Sequence, residues 1–142
     1  MKKTNENIIL ARRISEFLYE YAPTFLTASQ HTLKAYKDSL TLYIRFLEES
    51  GVKPSDLTRH NFEQAWIEKW LIWLRDGRHN SPETCNNRLA ALRRFLEFLG
   101  QKDVDLMYLY QEAKRIKRQK GVKKKVLGRN VALWRGLFKL TS

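Results

Sequence analysis

SPETCNNRLAALRRFLEFLG, residues Ser81 to Gly100, is the stretch that decides the fold class. Ser81 suits the N-cap, where its hydroxyl can accept from a free backbone N–H. Pro82 suits the first helical position, because it has no N–H to leave unpaired. Glu83 lies where the helix dipole favours negative charge. Leu89, Leu92, Leu96 and Leu99 recur at spacings of three and four, the apolar stripe of an amphipathic helix. Gly100 suits a left-handed terminator, so the helix is expected to run from Ser81 to Leu99. Beside the stripe stand Asn86, Asn87, Arg88, Arg93 and Arg94, a set of amide and guanidinium donors.

Working outward, the same periodicity returns on both sides. Asn7 to Ala22 carries a broad apolar face, and Pro23 is expected to stop that helix, with a connector to Ala28. Ser29 caps a long helix to Ser50, with Leu33, Tyr36, Leu40, Tyr43, Ile44 and Leu47 inward and Gly51 at its end. A third helix spans Thr58 to Asp76, with Thr58 or Asn61 as its cap. Trp66, Trp70 and Trp73 on it suit core and interface better than a base-stacking platform. A fifth helix follows from Leu106 to about Lys117, with Asp105 as its cap. No segment alternates with period two, so the expectation is an all-α fold, a compact bundle of four to five helices.

The chain has 142 residues, enough for one domain with a modest core. One cysteine, Cys85, rules out an internal disulfide and a cysteine-built zinc site. It reads as a half-buried structural residue. No apolar run approaches the ~20 residues needed to cross a bilayer. The N-terminus lacks a signal-peptide hydrophobic region, so a cytoplasmic location is expected. The net charge of +12 is unevenly spread. Residues 1–112 hold 16 basic and all 15 acidic residues, a net of +1, and residues 113–142 hold 11 basic residues and no acid. A basic segment of this kind favours polyanions.

Two helix openings echo one another. Ser29-x-x-Thr32-Leu33-x-x-Tyr36, followed by Leu40, Phe46 and Leu47, opens the second helix. Ser81-x-x-Thr84-x-Asn86-x-Arg88-Leu89-x-Ala91-Leu92-Arg93-x-Phe95-x-x-x-Leu99 opens the fourth, with Asp56-Leu57-Thr58 between them. In this order and at this separation the two halves resemble the N-terminal core-binding, SAM-like domain of phage integrases and other tyrosine site-specific recombinases. The resemblance covers roughly residues 10 to 118. It implies an all-helical domain forming one jaw of a clamp on duplex DNA at a recombination site, with the helices matching Ser29–Ser50 and Ser81–Leu99 toward the DNA. It also implies a separate catalytic domain whose tyrosine attacks the DNA phosphate without a metal.

Donor chemistry on those two helices supplies the candidate DNA contacts: Thr32, Lys34, Lys37 and Thr41 on the second, and Thr84, Asn87, Arg88, Arg93 and Arg94 on the fourth. Arg88 stands out, near the helix front and inside the motif. Arg93 and Arg94 lie about 100° apart on a helix, so both are not expected to face one duplex. The same residues also suit a plainly solvated face.

Only 24 residues follow Arg118, too few for a catalytic domain, and VLGRNVALWRGLFKLTS does not fit the family pattern. The expectation is therefore a helical DNA-binding domain at 1–118 and a basic linker and atypical tail at 119–142, without catalysis of its own. His31, His60 and His79 have no metal-ligand spacing, and Tyr108 and Tyr110 lack the family's nucleophile context. No metal, cofactor or small-molecule ligand is expected. The expected partners are double-stranded DNA and other recombinase protomers. The alternative is a helical protein-interaction subunit, or a non-functional fragment of a mobile-element recombinase, which the aromatic third helix and the apolar residues Val131 to Leu140 motivate.

Overall fold

A computed structural model describes residues 2–120. The tail from Gly121 onward, with Val131 to Leu140, lies outside the described residues. The described chain is all-α, with no strand among the described residues. Helix α1 (Lys2–Glu16) runs without a break into wider π-type turns over Phe17–Leu26. Helix α2 spans Gln30–Glu49. Two 3₁₀ turns, Pro54–Asp56 and Arg59–Phe62, lead into α3 (Gln64–Ile72), which also widens into π turns at Trp73–Gly77. Helix α4 spans Pro82–Lys102, and a 3₁₀ turn at Val104–Leu106 leads into α5 (Met107–Lys114).

The two expected serine caps are in place. Ser29 Oγ accepts from the Thr32 N–H at 3.2 Å and Ser81 Oγ from the Thr84 N–H at 3.1 Å. Each such cap is worth about 1 kcal/mol of helix stability. Gly51, with φ +97°, lets the chain reverse after α2, and the Val52 N–H closes the turn on the Leu47 carbonyl at 2.8 Å.

Several boundaries differ from the sequence reading. Pro23 does not stop the first helix. The missing N–H is absorbed by an i→i+5 register, and the Thr27 N–H reaches the Ala22 carbonyl at 3.1 Å. The third helix is interrupted at Glu63, whose ψ of 164° is extended. Thr58 and Asn61 cap the preceding 3₁₀ turn instead, with the Thr58 N–H donating to Asn61 Oδ1 at 2.9 Å. Gly100 does not terminate α4. It is buried within the helix, where a Cβ would lie 3.0 Å from Met107 Cα, so its role is to let α5 approach closely. Asp103, not Asp105, caps the next turn, accepting from the Asp105 N–H at 3.0 Å.

Helix α4 is the centre of the bundle, packed chiefly against α5 and α2. Leu89, Leu92, Phe95, Leu96 and Leu99 on it are all essentially inaccessible. Burying each such side chain contributes roughly 1.5–3 kcal/mol. Phe17 carries α1 into this core, with ring centroids 5.6 Å from Phe95 and 5.7 Å from Phe98. A second aromatic group ties α2 to α3. Tyr43 stacks on Phe62 at 5.2 Å and meets Trp70 edge-on at 5.0 Å. Trp70 is fully buried, whereas Trp66 and Trp73 are half-buried against Phe46. Cys85 is wholly buried rather than half-buried, and burial pushes its thiol pKa up.

The Tyr43 hydroxyl donates to the Asn61 carbonyl at 2.6 Å inside this group. Tyr43→Phe is expected to keep the ring packing but leave that carbonyl unpaired, costing about 1–3 kcal/mol. Urea denaturation should show a lower midpoint with an unchanged slope.

Candidate nucleic-acid interface

The nine candidate residues fall on different surfaces of α2 and α4. On α2, Lys34, Lys37 and Thr41 are exposed and within about 60° of one another around the helix axis. Lys34 Nζ is paired with Asp38 at 2.8 Å, whereas Lys37 has no carboxylate partner among the described residues. Thr41 lines a groove of about 290 Å³ between α1 and α2, together with Ile14, Leu18, Leu40, Ile44 and Arg45. Thr32 is half-buried in the first turn of α2, its N–H used by the Ser29 cap.

On α4, Asn87 and Arg94 are exposed on one stripe, and Arg94 makes a long 3.4 Å pair with Glu97. Thr84 is half-buried at the front, its hydroxyl accepting from Ser81 Oγ at 3.1 Å. Arg88 and Arg93 occupy the two opposite flanks of the helix. Arg88 turns toward α2, where its Nη1 donates to Ser39 Oγ at 3.3 Å. Its Nε is buried without a hydrogen-bond partner, and no carboxylate pairs with it among the described residues. Ser39 is itself buried and donates to the Ala35 carbonyl at 2.8 Å.

Arg93 turns toward α5. Its Nε donates to the Ala113 carbonyl at 3.0 Å and its Nη2 to the Ile116 carbonyl. A guanidinium suits these carbonyls because the C-terminal end of a helix is partly negative. Burial lowers the Arg93 pKa, since desolvation disfavours the charged form. Nothing in the local sequence separates these roles, because Arg88, Arg93 and Arg94 differ only in which neighbouring helix each flank meets.

One residue in the motif had no assigned role. Asn86, buried on the α5 flank, donates through Nδ2 to the Gln119 carbonyl at 3.0 Å and accepts from the Gln119 N–H at 2.7 Å. Its spacing of seven residues from Arg93 places it on the same flank, two turns away, and is the one signal that could have linked them.

Elsewhere, the Tyr108 hydroxyl donates to Glu63 Oε2 at 2.6 Å. Burial and the neighbouring carboxylate push its pKa well above the usual phenol range. No group of three or more His, Cys, Asp or Glu side chains is placed to hold a metal among the described residues. No described helix is long and apolar enough to cross a membrane.

The chain matches the family model for the phage integrase N-terminal SAM-like domain over residues 11–103. It is also 27% identical over 100 residues to a protein of Sinorhizobium fredii (strain NBRC 101917 / NGR234) described as an integrase/recombinase, y4rD. That alignment takes in 70% of this chain and 36% of the relative, so the chain spans about a third of the relative's length. No solved structure matches the chain. The match over residues 11–103, well over half of the 142 residues, joins an all-helical bundle whose α2 and α4 carry the two-part motif, and the chain belongs to the family of the phage integrase N-terminal SAM-like domain.

Proposed function

We propose that the chain is a duplex-DNA-binding module that forms one side of a clamp at a recombination site. The observation that carries this reading is Arg88. Its guanidinium is held between α2 and α4 by Ser39, has a buried Nε without a partner, and has no carboxylate beside it among the described residues. A partly desolvated cation without a counter-ion costs free energy, and an anion at this position would offset that cost. Phosphate oxygens suit it, since guanidinium donors match them bidentately.

The neighbouring donors extend the surface. Thr84, Asn87 and Arg94 accompany Arg88 on α4 and Thr32 accompanies Ser39 on α2, whereas Lys34, Lys37 and Thr41 lie on the opposite, exposed face of α2 and enter the reading as a second surface. Lys34 and Arg94 have exposed, intrahelical ion pairs, which are worth little and can be exchanged for phosphate. Arg93 enters this reading through its grip on α5. The described residues supply no DNA cleavage in this reading, and the Tyr108 hydroxyl is engaged in its hydrogen bond to Glu63.

A second reading, a protein-interaction subunit for other recombinase protomers, has one observation of its own. Phe25 on the π-type segment is 72% exposed and lines a groove of about 280 Å³ together with Tyr21 and Phe98. Light scattering that shows a defined oligomer, with no shift of duplex DNA at low ionic strength, would favour it over the first.

Duplex binding is expected to weaken steeply and linearly in log–log terms as salt rises, with a slope of roughly −0.9 per phosphate contacted. Fluorescence anisotropy across a salt series checks this. Arg88→Gln should lower affinity by about 1–3 kcal/mol, while Lys102→Gln, beside Phe98 at the far end of α4, should change it much less. Thermal melting of both variants separates lost contact from lost folding. Incubation with a nicked or intact duplex is expected to give no covalent protein–DNA product on a denaturing gel.

A further inference from the structure

Asn86 and Arg93 lie on one flank of α4, two turns or about 10 Å apart. Arg93 grips the carbonyls of Ala113 and Ile116, and Asn86 bonds both backbone groups of Gln119. The chain leaving α5 therefore runs back along α4 toward its N-terminal end. The buried Ile116 side chain pins it between the two grips. This segment has no regular secondary structure beyond the turn at Arg115 and Ile116, so the two α4 side chains and the buried Ile116 fix its course.

The segment so held is cationic. Lys114, Arg115, Lys117, Arg118 and Lys120 are all exposed, and none forms an ion pair among the described residues. No acidic residue lies in the chain after Glu112. Fixing five like charges within seven residues is electrostatically unfavourable unless an anion runs beside them. A helix C-cap would need only the Arg93 grip. The second grip at Gln119, beyond the helix, has no such use.

The helix surface between the two flanks is also defined. Arg88 and α2 bound one side of the front half of α4, the gripped segment bounds the other, and the exposed Asn87 lies between them. We infer that Asn86 and Arg93 are positioning residues that hold Lys114–Lys120 as a preformed rail of phosphate contacts along the front half of α4. The ligand is the backbone of duplex DNA, and the inference rests on the DNA-binding reading above. Holding the rail in the free protein removes an ordering cost from binding.

The test uses the full chain and the variant Asn86→Ala, with duplex DNA as the probe. Hydrogen exchange at the Gln119 amide should be protected in the unaltered protein and fast in the variant. Duplex affinity should fall about tenfold while the salt slope stays within about one, because every cation is still present. A Lys117→Gln/Arg118→Gln variant should instead flatten the slope by roughly two. Arg93→Lys, which keeps the charge but loses the two-carbonyl grip, is the second variant should Asn86→Ala fail to fold, and is expected to lose affinity in the same way. A folded Asn86→Ala or Arg93→Lys variant that binds duplex as tightly as the unaltered protein overturns this inference alone. An unprotected Gln119 amide in the unaltered protein does the same. No duplex binding by the unaltered protein at low ionic strength overturns the DNA reading, and this inference with it.

Discussion

Burial of α4 on both flanks is the constraint on which the rest of the structure depends. Its leucines and phenylalanines face α1, α2 and α5 at once, so the helix has only a narrow stripe left for solvent. Polar residues just outside that stripe cannot reach water fully. Each must find a partner on a neighbouring helix or carry an unpaired group. Arg88 finds Ser39 on one side, and Asn86 and Arg93 find the backbone after α5 on the other. The hydrophobic core and the polar surface are thus one arrangement: packing α2 and α5 against α4 decides which donors turn inward.

Aromatic packing sets how the outer helices sit on that centre. Phe17 touches Tyr36, Phe95 and Phe98, so a single ring at the start of the π-type segment meets both α2 and α4. The π-type turns that follow it keep Tyr21 against Phe98, at 4.7 Å, despite Pro23. An ordinary α-helix would have to break or kink there. The wider register lets the helix continue while the aromatic face stays on the core, which is why the connector begins at Thr27 and not at Pro23.

The fold was largely legible in the sequence because its determinants are local. Ser29 and Ser81 act through N–H groups three residues on, and Gly51 acts through its own φ. What was illegible acts at a distance. Gly100 looks like a terminator in sequence, but it is a contact point because Met107 returns against it. Glu63 interrupts α3, and the Gln64 N–H is taken by Glu112 of α5 at 2.9 Å, a cap supplied from 48 residues away. The candidate interface divides in the same way. Lys34, Lys37 and Thr41 lie off the apolar stripe by spacing alone and are exposed, but nothing local shows that Arg93 turns to α5 or that Asn86 bonds Gln119.

Nearly neutral folded residues and a cationic end also change what each part can contribute to polyanion binding. Residues 1–112 have a net charge of +1, so long-range attraction to the first helices is weak. In the proposed reading, close donors such as Arg88 act through geometry, since a half-buried guanidinium is screened less than an exposed one. The 11 basic residues from 113 onward supply the salt-sensitive attraction instead in that reading. Attraction without direction gives only nonspecific binding, because phosphate contacts carry no sequence information. In the proposed DNA-binding reading, a cationic segment becomes useful to a site-specific module when its path is tied to the helices proposed to face the duplex. Asn86 and Arg93 make that tie, and they do so from the same helix that carries Asn87 and Arg88.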